Sequence, residues 1–309
     1  MLQDATLGDP ISGLKWTRKS PRKLGKALRR QGFKASHETI RRLLETLGYS
    51  LKVNRKRLGK RKDVDRDQQM RLVARRRHAF LKLKKPAISV DSKKKELVGN
   101  FKNAGQTWRR EAVSVLTTDF LVDADGKAVP YGVYDLARNT GFVGVGVSHD
   151  TAEFAVNVIR AWWSHIGQQL YGDKHELLIQ ADSGGANSHR SWLWKWELQR
   201  FADETGLTLI VTHYPTSASK WNWIEHRLFG PITQNWAGQP LVNYETLLKY
   251  IRATKTDSGL RCRAYLDKTQ YQTGKKLTRE QKDSINLIPH RILPKWNYTI
   301  RPRSALREK

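Results

Sequence analysis

Apolar and polar positions divide the chain into a helical first part and a longer part in which strands and helices take turns. Ser20 followed by Pro21 reads as a cap and a first-turn proline; Leu24, Ala27 and Leu28 then recur at helical spacing until Gly32. Ser36 caps a second predicted helix whose stripe Ile40, Leu43, Leu44 and Leu47 leaves His37, Glu38, Arg41 and Arg42 outward, and Gly48 ends it. Two short helices joined by GFKA fit a helix-turn-helix whose second helix enters a major groove, with Arg41 and Arg42 meeting phosphate or bases. A plain helical hairpin with solvated arginines is the other reading. The basic run from residue 51 leads into a third helix that ends before Pro86.

From residue 87 the period changes. The apolar run 87–90 predicts a central strand ending on Asp91, and Leu97, Val98 and Phe101 suggest that the chain continues extended after a charged insert. Residues 113–117, 131–136 and 142–147 are β-rich, with turns at Asp125-Gly126 and Asn139-Thr140-Gly141. A helix is expected over 150–167, a strand over 177–180 ending near Asp182, a helix over 188–204 and a strand over 207–212. Helices over 219–234 and 244–254 follow, and the signal weakens after Pro240. Strands alternating with helices predict an α/β protein, a sheet covered by helices on its faces. The expected domains are a helix-turn-helix region over 1–52, a basic linker and helix over 53–86, a catalytic domain over 87–239, and a C-terminal extension of uncertain role over 240–309.

Composition adds the partner class. Lys and Arg number 57 against 29 Asp and Glu, a net charge of +28, and residues 1–86 alone hold 26 basic and 7 acidic side chains. Such a surplus suits a polyanion, nucleic acid first, better than a small neutral substrate. The single Cys262 excludes an internal disulfide and a cysteine-based zinc cage, so any metal is held by oxygen or imidazole. With no apolar run of membrane length and no signal-peptide pattern, the chain reads as soluble and cytosolic.

Three acids stand at element ends: Asp91 and Asp182 after apolar runs, and Glu225 on a helix after a third. Strand ends at one edge of an open sheet are where ligands gather. Carboxylates collected there repel one another and suit a hard cation, Mg²⁺ or Mn²⁺. Two such ions about 3.5–4 Å apart can activate an attacking oxygen and stabilise the leaving oxygen of a phosphodiester. Gly184 and Gly185 allow a sharp turn close to a phosphate, and Asn187 can position a ligand or a backbone group. His149, His165, His175, His189 and His213 show no metal-ligand spacing and read as surface or capping residues. Trp192 and Trp196, four apart, are expected on one core-facing side of their helix.

The stretches VDSKKKELVGNFKNAG, YGVYDLARNTGFVGVGVSHDTAEFAVNVIRAWW, ADSGGANSHR with LWKWELQRFADETGL, and SKWNWIEHRLFGPITQNW together resemble bacterial insertion-sequence transposases with a Rhodopirellula-type DDE domain. The resemblance runs from about Leu14 to the closing WNYTI. It implies an RNase H-like mixed sheet flanked by helices, with Asp91, Asp182 and Glu225 as an acidic triad holding two divalent ions. The implied reaction is cleavage at transposon ends by water, which frees a 3′ hydroxyl that then attacks target DNA. It further implies double-stranded DNA as partner (terminal inverted repeats and target), a dimer or larger assembly on DNA, and a cytoplasmic, nucleoid-associated protein. Lys220, Trp221 and Asn222 match the family signature and are expected to set the helix position and contact DNA; Arg227 is placed with them, and Lys93, Lys94 and Lys95 are expected to steer DNA toward the metals.

The chain departs from its relatives in two places. Before SKWN it reads Tyr214-Pro215-Thr216-Ser217-Ala218 where they have proline, glycine and threonine, so the loop presenting Glu225 is expected to be set differently. It also starts at what resembles the second DNA-binding unit of relatives that usually carry one more, so an N-terminally shortened copy is expected. Two other functions remain open on the sequence: a catalytically silent DNA-binding repressor at transposon ends, and a nuclease that cuts without joining.

Overall fold

The computed structural model describes residues 6–8, 15–17, 20–51, 65–216, 218 and 221–303, and the chain divides into two compact units, Met1–Lys60 and Arg61–Lys309. In the first, β1 (Thr6–Gly8) and β2 (Lys15–Thr17) pair antiparallel, followed by α1 (Pro21–Arg30) and α2 (His37–Thr46). Both expected caps form: Ser20 Oγ accepts the Lys23 N–H at 3.3 Å and Ser36 Oγ the Thr39 N–H at 3.0 Å, each satisfying a donor that the first helical turn leaves unpaired. Leu24 and Ile40 are buried, while Leu43 and Leu47 of the expected stripe stay exposed.

The second unit opens with α3 (Arg66–Lys82), the basic helix that ends before Pro86; residues 52–64 of the basic run lie outside the described residues. Then come β3 (Ala87–Ser92), β4 (Glu96–Val98), β5 (Gly126–Asp135) and β6 (Thr140–Gly146). Helix α4 (Ala152–Trp162) continues through a π-helical turn into α5 (Gln168–Tyr171). After it come β7 (Glu176–Ala181), α6 (Trp192–Thr205), β8 (Thr208–His213), a second π-helical turn (Glu225–Phe229) and α7 (Gly230–Asn235). The chain closes with α8 (Tyr244–Ala253), β9 (Arg261–Asp267), α9 (Arg279–Asp283), β10 (Leu287–Pro289) and β11 (Asn297–Ile300).

The main sheet runs β10-β11-β8-β7-β3-β5-β6-β9, with β4 on β5. An antiparallel meander β3-β5-β6 is extended on the far side of β3 by β7 and β8, both parallel to it. That is the RNase H-like arrangement, a mixed sheet flanked by helices. One face buries Ile88, Val90, Leu177 and Ile179 under α4 and α6; the other buries Ala87, Leu178 and Val143 under the Glu225–Phe229 turn, α7 and α8. Side-chain alternation with period two puts successive strand residues on these opposite faces.

Two expectations are corrected here, the strand over 113–117 and the core-facing place of Trp192. Residues 113–117 form no strand, and Val113 is half exposed. Their backbone bonds instead to Asn100, shortly after β4: the Leu116 N–H donates to the Asn100 carbonyl at 2.9 Å, and the Asn100 amide donates to the Ser114 carbonyl at 3.3 Å. The segment beyond residue 239 is part of the same sheet: β9 adds to β6, and β10 with β11 to β8. Within α6 the core tryptophan is Trp194, fully buried, whereas Trp192 is exposed. No helix among the described residues is long and apolar enough to cross a membrane.

Candidate active site

Val90 on β3 pairs with Ala181 on the parallel strand β7, so the next residues, Asp91 and Asp182, follow side by side at the carboxyl end of that pairing. Adjacent strands lie about 4.8 Å apart, which brings the two backbones together by hydrogen bonding alone. Ile88 and Val90 point into the core under α4 and α6, so Ser89 and Asp91 face the other side, where Ile224, Leu228 and Phe229 pack. Glu225 is carried on that same packed turn.

Gly132 of β5 stands opposite Asp91 in the ladder. A Cβ there would lie 2.7 Å from Phe229 Cε1 and 3.0 Å from Ile224 Cδ1, so the bare glycine lets the turn carrying Glu225 approach the strand carrying Asp91. The π-helical widening is of the kind that recurs at functional sites.

Each aspartate is held by donors. Asp91 Oδ1 accepts the Ser92 N–H at 2.8 Å and Oδ2 accepts the Asn222 amide at 3.0 Å. Asp182 Oδ1 accepts the Gly184 N–H at 3.1 Å, with the Asn187 amide at 3.5 Å. Gly185 takes φ +56°, the left-handed region open to glycine, and Asn187 is buried with its Oδ1 receiving the Tyr131 hydroxyl at 2.5 Å. A fourth acid joins them: Asp150, just before α4, accepts the Ser92 hydroxyl at 2.9 Å. Only its place beside the N-terminus of a predicted helix marked it in the sequence.

Burial holds the Asp91 carboxyl well above the ordinary range, with the charges of Asp182 and Glu225 adding to it. Burial also raises Asp182, with Asp150 adding, and Glu225, with Asp182 adding. Burial, then the charges of Asp91, Asp150 and Asp182, keeps Tyr131 a phenol. In chemistry this donor set fits a hard divalent cation: carboxylate oxygens only, set where a cation would relieve their mutual repulsion. Among the described residues, however, no three His, Cys, Asp or Glu side chains are gathered so as to hold an ion as they stand.

His213 corrects the sequence reading, because it is fully buried rather than at the surface. Its Nδ1 donates to the Asp182 carbonyl at 2.8 Å, and its Nε2 accepts the Tyr298 hydroxyl at 2.9 Å. Tyr298 Oη in turn accepts Trp194 Nε1–H at 3.0 Å. Burial pushes His213 down to about 3, so the ring is neutral. The closing WNYTI motif thus anchors the backbone of Asp182 across the sheet.

The residues expected to meet DNA separate into three groups. Lys94, Lys95, Arg42 and Arg227 are exposed, with the Arg227 guanidinium 5.5 Å from the Trp223 ring centre. Arg41 is engaged by Glu38 at 2.7 Å and by Glu45. Lys93 is buried, paired with Glu96 at 2.6 Å and placed 4.5 Å over Trp236, and Asn222 is fully buried on Asp91; neither presents its polar group to a duplex. Lys220 lies outside the described residues, as do Ser217 and Ser219 of the divergent loop. Arginines of α3 stack on the tryptophans flanking Asn222, Arg66 over Trp221 at 4.6 Å and Arg77 over Trp223 at 4.4 Å, a link the sequence reading did not make. A cavity of 870 Å³ lined by Lys102, Trp108, Arg109, Arg110, Val113 and Pro240 includes none of Asp91, Asp150, Asp182 and Glu225.

Comparison with known proteins gives one match that covers the chain: the family described as Rhodopirellula transposase DDE domain matches residues 1–302. No curated protein matches it. Among solved structures it is similar to a Mos1 transposase paired-end complex with left transposon end, at 14% identity and TM-score 0.44, covering 79% of this chain and 73% of that one. It is also similar to a pre-cleavage Mos1 transpososome, at 15% identity and TM-score 0.45, with the same two coverages of 79% and 73%. A Mos1 mariner paired end complex with Mn gives 16% identity and TM-score 0.44 over 75% of this chain and 65% of that one. Likenesses of that size carry no weight beside the family match. On that match, which leaves only the last residues uncovered, the chain belongs to the Rhodopirellula transposase DDE-domain family.

Proposed function

We propose that the protein cuts DNA at the ends of a mobile element and joins the freed 3′ ends to target DNA, with Asp91, Asp182 and Glu225 holding Mg²⁺ or Mn²⁺. The observation that carries this reading is the register of β3 and β7, which sets Asp91 beside Asp182 at the strand ends under the turn bearing Glu225. A divalent cation held there supplies electrostatic stabilisation of the attacking and leaving oxygens of a phosphodiester. The chain's part is to orient. The Ser92 and Gly184 N–H groups and the Asn222 amide fix individual carboxylate oxygens, and His213 fixes the Asp182 backbone.

Lys94, Lys95 and Arg227, all exposed, offer charge to the phosphates of the DNA, and α2 with Arg42 is assigned to end recognition. Cutting at two ends has to be coordinated, which favours a dimer or larger assembly on DNA in the bacterial cytoplasm. The net charge of +28 suits a second reading equally, a catalytically silent DNA-binding protein. Incubation with the element's terminal inverted repeats and Mg²⁺ separates the readings. The first predicts 3′-end cleavage and a joined product; salt-sensitive binding without nicking supports the second, and cleavage without joining marks a nuclease.

A further inference from the structure

Asn222 is the point where the two halves of the site touch. It lies three residues before Glu225, it is fully buried, and its side chain spans two residues of β3 that share one face, Ser89 and Asp91. The Ser89 hydroxyl donates to Asn222 Oδ1 at 2.7 Å, and the amide nitrogen is the end that turns to Asp91 Oδ2, at 3.0 Å. The Asp91 carboxylate, an acceptor only, selects the orientation in which the amide nitrogen meets it, and the Ser89 hydroxyl then holds the Oδ1 on the other side of the amide. Asp91 Oδ1 is taken up separately by the Ser92 N–H at 2.8 Å, so the two oxygens are fixed by different elements.

We propose that Asn222 is a positioning residue for the cation site: it sets the rotation of the Asp91 carboxylate and ties that strand to the turn that brings Glu225, with Ser89 acting as the lock on its amide. The inference rests on the reading of Asp91, Asp182 and Glu225 as cation ligands. Donors that orient a ligand from behind typically alter metal affinity about 10–100-fold when removed. A residue that merely filled space would lower stability and leave the affinity of the folded protein unchanged.

The test uses the full chain and Mn²⁺ alone, titrated by calorimetry and by loss of the free-ion paramagnetic resonance signal, with Tm recorded for each variant. Asn222→Ala is expected to weaken Mn²⁺ binding about 10-fold or more, and to raise the Mg²⁺ concentration needed for half-maximal cleavage by a similar factor. Ser89→Ala, which keeps the amide but frees its rotation, is expected to give a smaller shift in the same direction, with cleavage recovering at high Mg²⁺. If Asn222→Ala does not fold, Ser89→Ala decides. Mn²⁺ affinity unchanged in the folded variants, while Asp91→Asn abolishes it, overturns the role of Asn222 and leaves the cation site standing. Affinity unchanged in Asp91→Asn as well overturns both.

Discussion

Asp91 and Asp182 reach the site by a different route from Glu225. The aspartates follow paired residues on adjacent parallel strands, so backbone hydrogen bonds set their spacing before any side chain packs. Glu225 sits outside the sheet on a π-helical turn, and its place depends on Phe229 and Ile224 closing over Gly132 and on the Asn222 side chain reaching Asp91. Two of the acids are therefore set by the ladder and the third by packing, and the third should be the easier one to displace.

The largest effects come from the acids themselves. Asp91→Asn, Asp182→Asn and Glu225→Gln should each remove detectable cleavage and joining, while DNA binding by gel shift is retained. Strand transfer surviving in any one would break the grouping. Next is Gly132→Ala, whose added Cβ meets the Phe229 ring at 2.7 Å. Overpacking of this kind typically costs about 1–3 kcal/mol, and it should lower Tm while displacing Glu225. Gly146→Ala is the control on the other face, where a Cβ meets Phe154 at 3.0 Å. If ladder and packing differ as described, Gly146→Ala loses less stability and keeps the cleavage its Tm allows, and only Gly132→Ala loses cleavage beyond what its Tm explains.

Tyr298→Phe takes the donor from His213 Nε2 and the acceptor from Trp194 Nε1, a loss of about 1–3 kcal/mol for buried groups left unpaired, read by urea unfolding. The pH dependence follows from His213, which burial holds at about 3 in the folded chain. Since an unfolded histidine titrates near about 6.5, the unfolded state binds the extra proton between these values. The contribution of His213 to stability is thus complete above about pH 6.5 and falls away as the pH drops toward 3. His213→Gln should flatten that acid-side slope relative to the parent. The smallest effect is Arg42→Ala, expected to leave Tm unchanged and reduce the salt slope of DNA binding by about one.

How legible these features were in the sequence depended on the range of the interactions behind them. The Ser20 and Ser36 caps are contacts over three residues, and both appear as read. The runs ending near Asp91 and Asp182 could be read because central strands must be apolar, and a lone acid after such a run stands out. The partners of those acids could not. His213 looks like any strand-end histidine until Tyr298, 85 residues later, is brought beside it on β11. Gly132 is one glycine among many until β5 is paired with β3, and Asn222 carries no mark of its burial. Lys93 misled for a related reason: a lysine in a charged run reads as solvated, yet Glu96 and Trp236 enclose it. The β-rich run 113–117 failed as a strand because propensity does not supply a partner strand.

The central claim is that the two ladder-set aspartates and the packing-set glutamate close on one cation centre, and crystals of the protein grown with Mn²⁺ test it most directly. The account predicts anomalous scattering peaks between Asp91, Asp182 and Glu225, with all three carboxylates drawn toward them. Mn²⁺ bound elsewhere on the chain, with Glu225 remaining apart from the two aspartates, would contradict it.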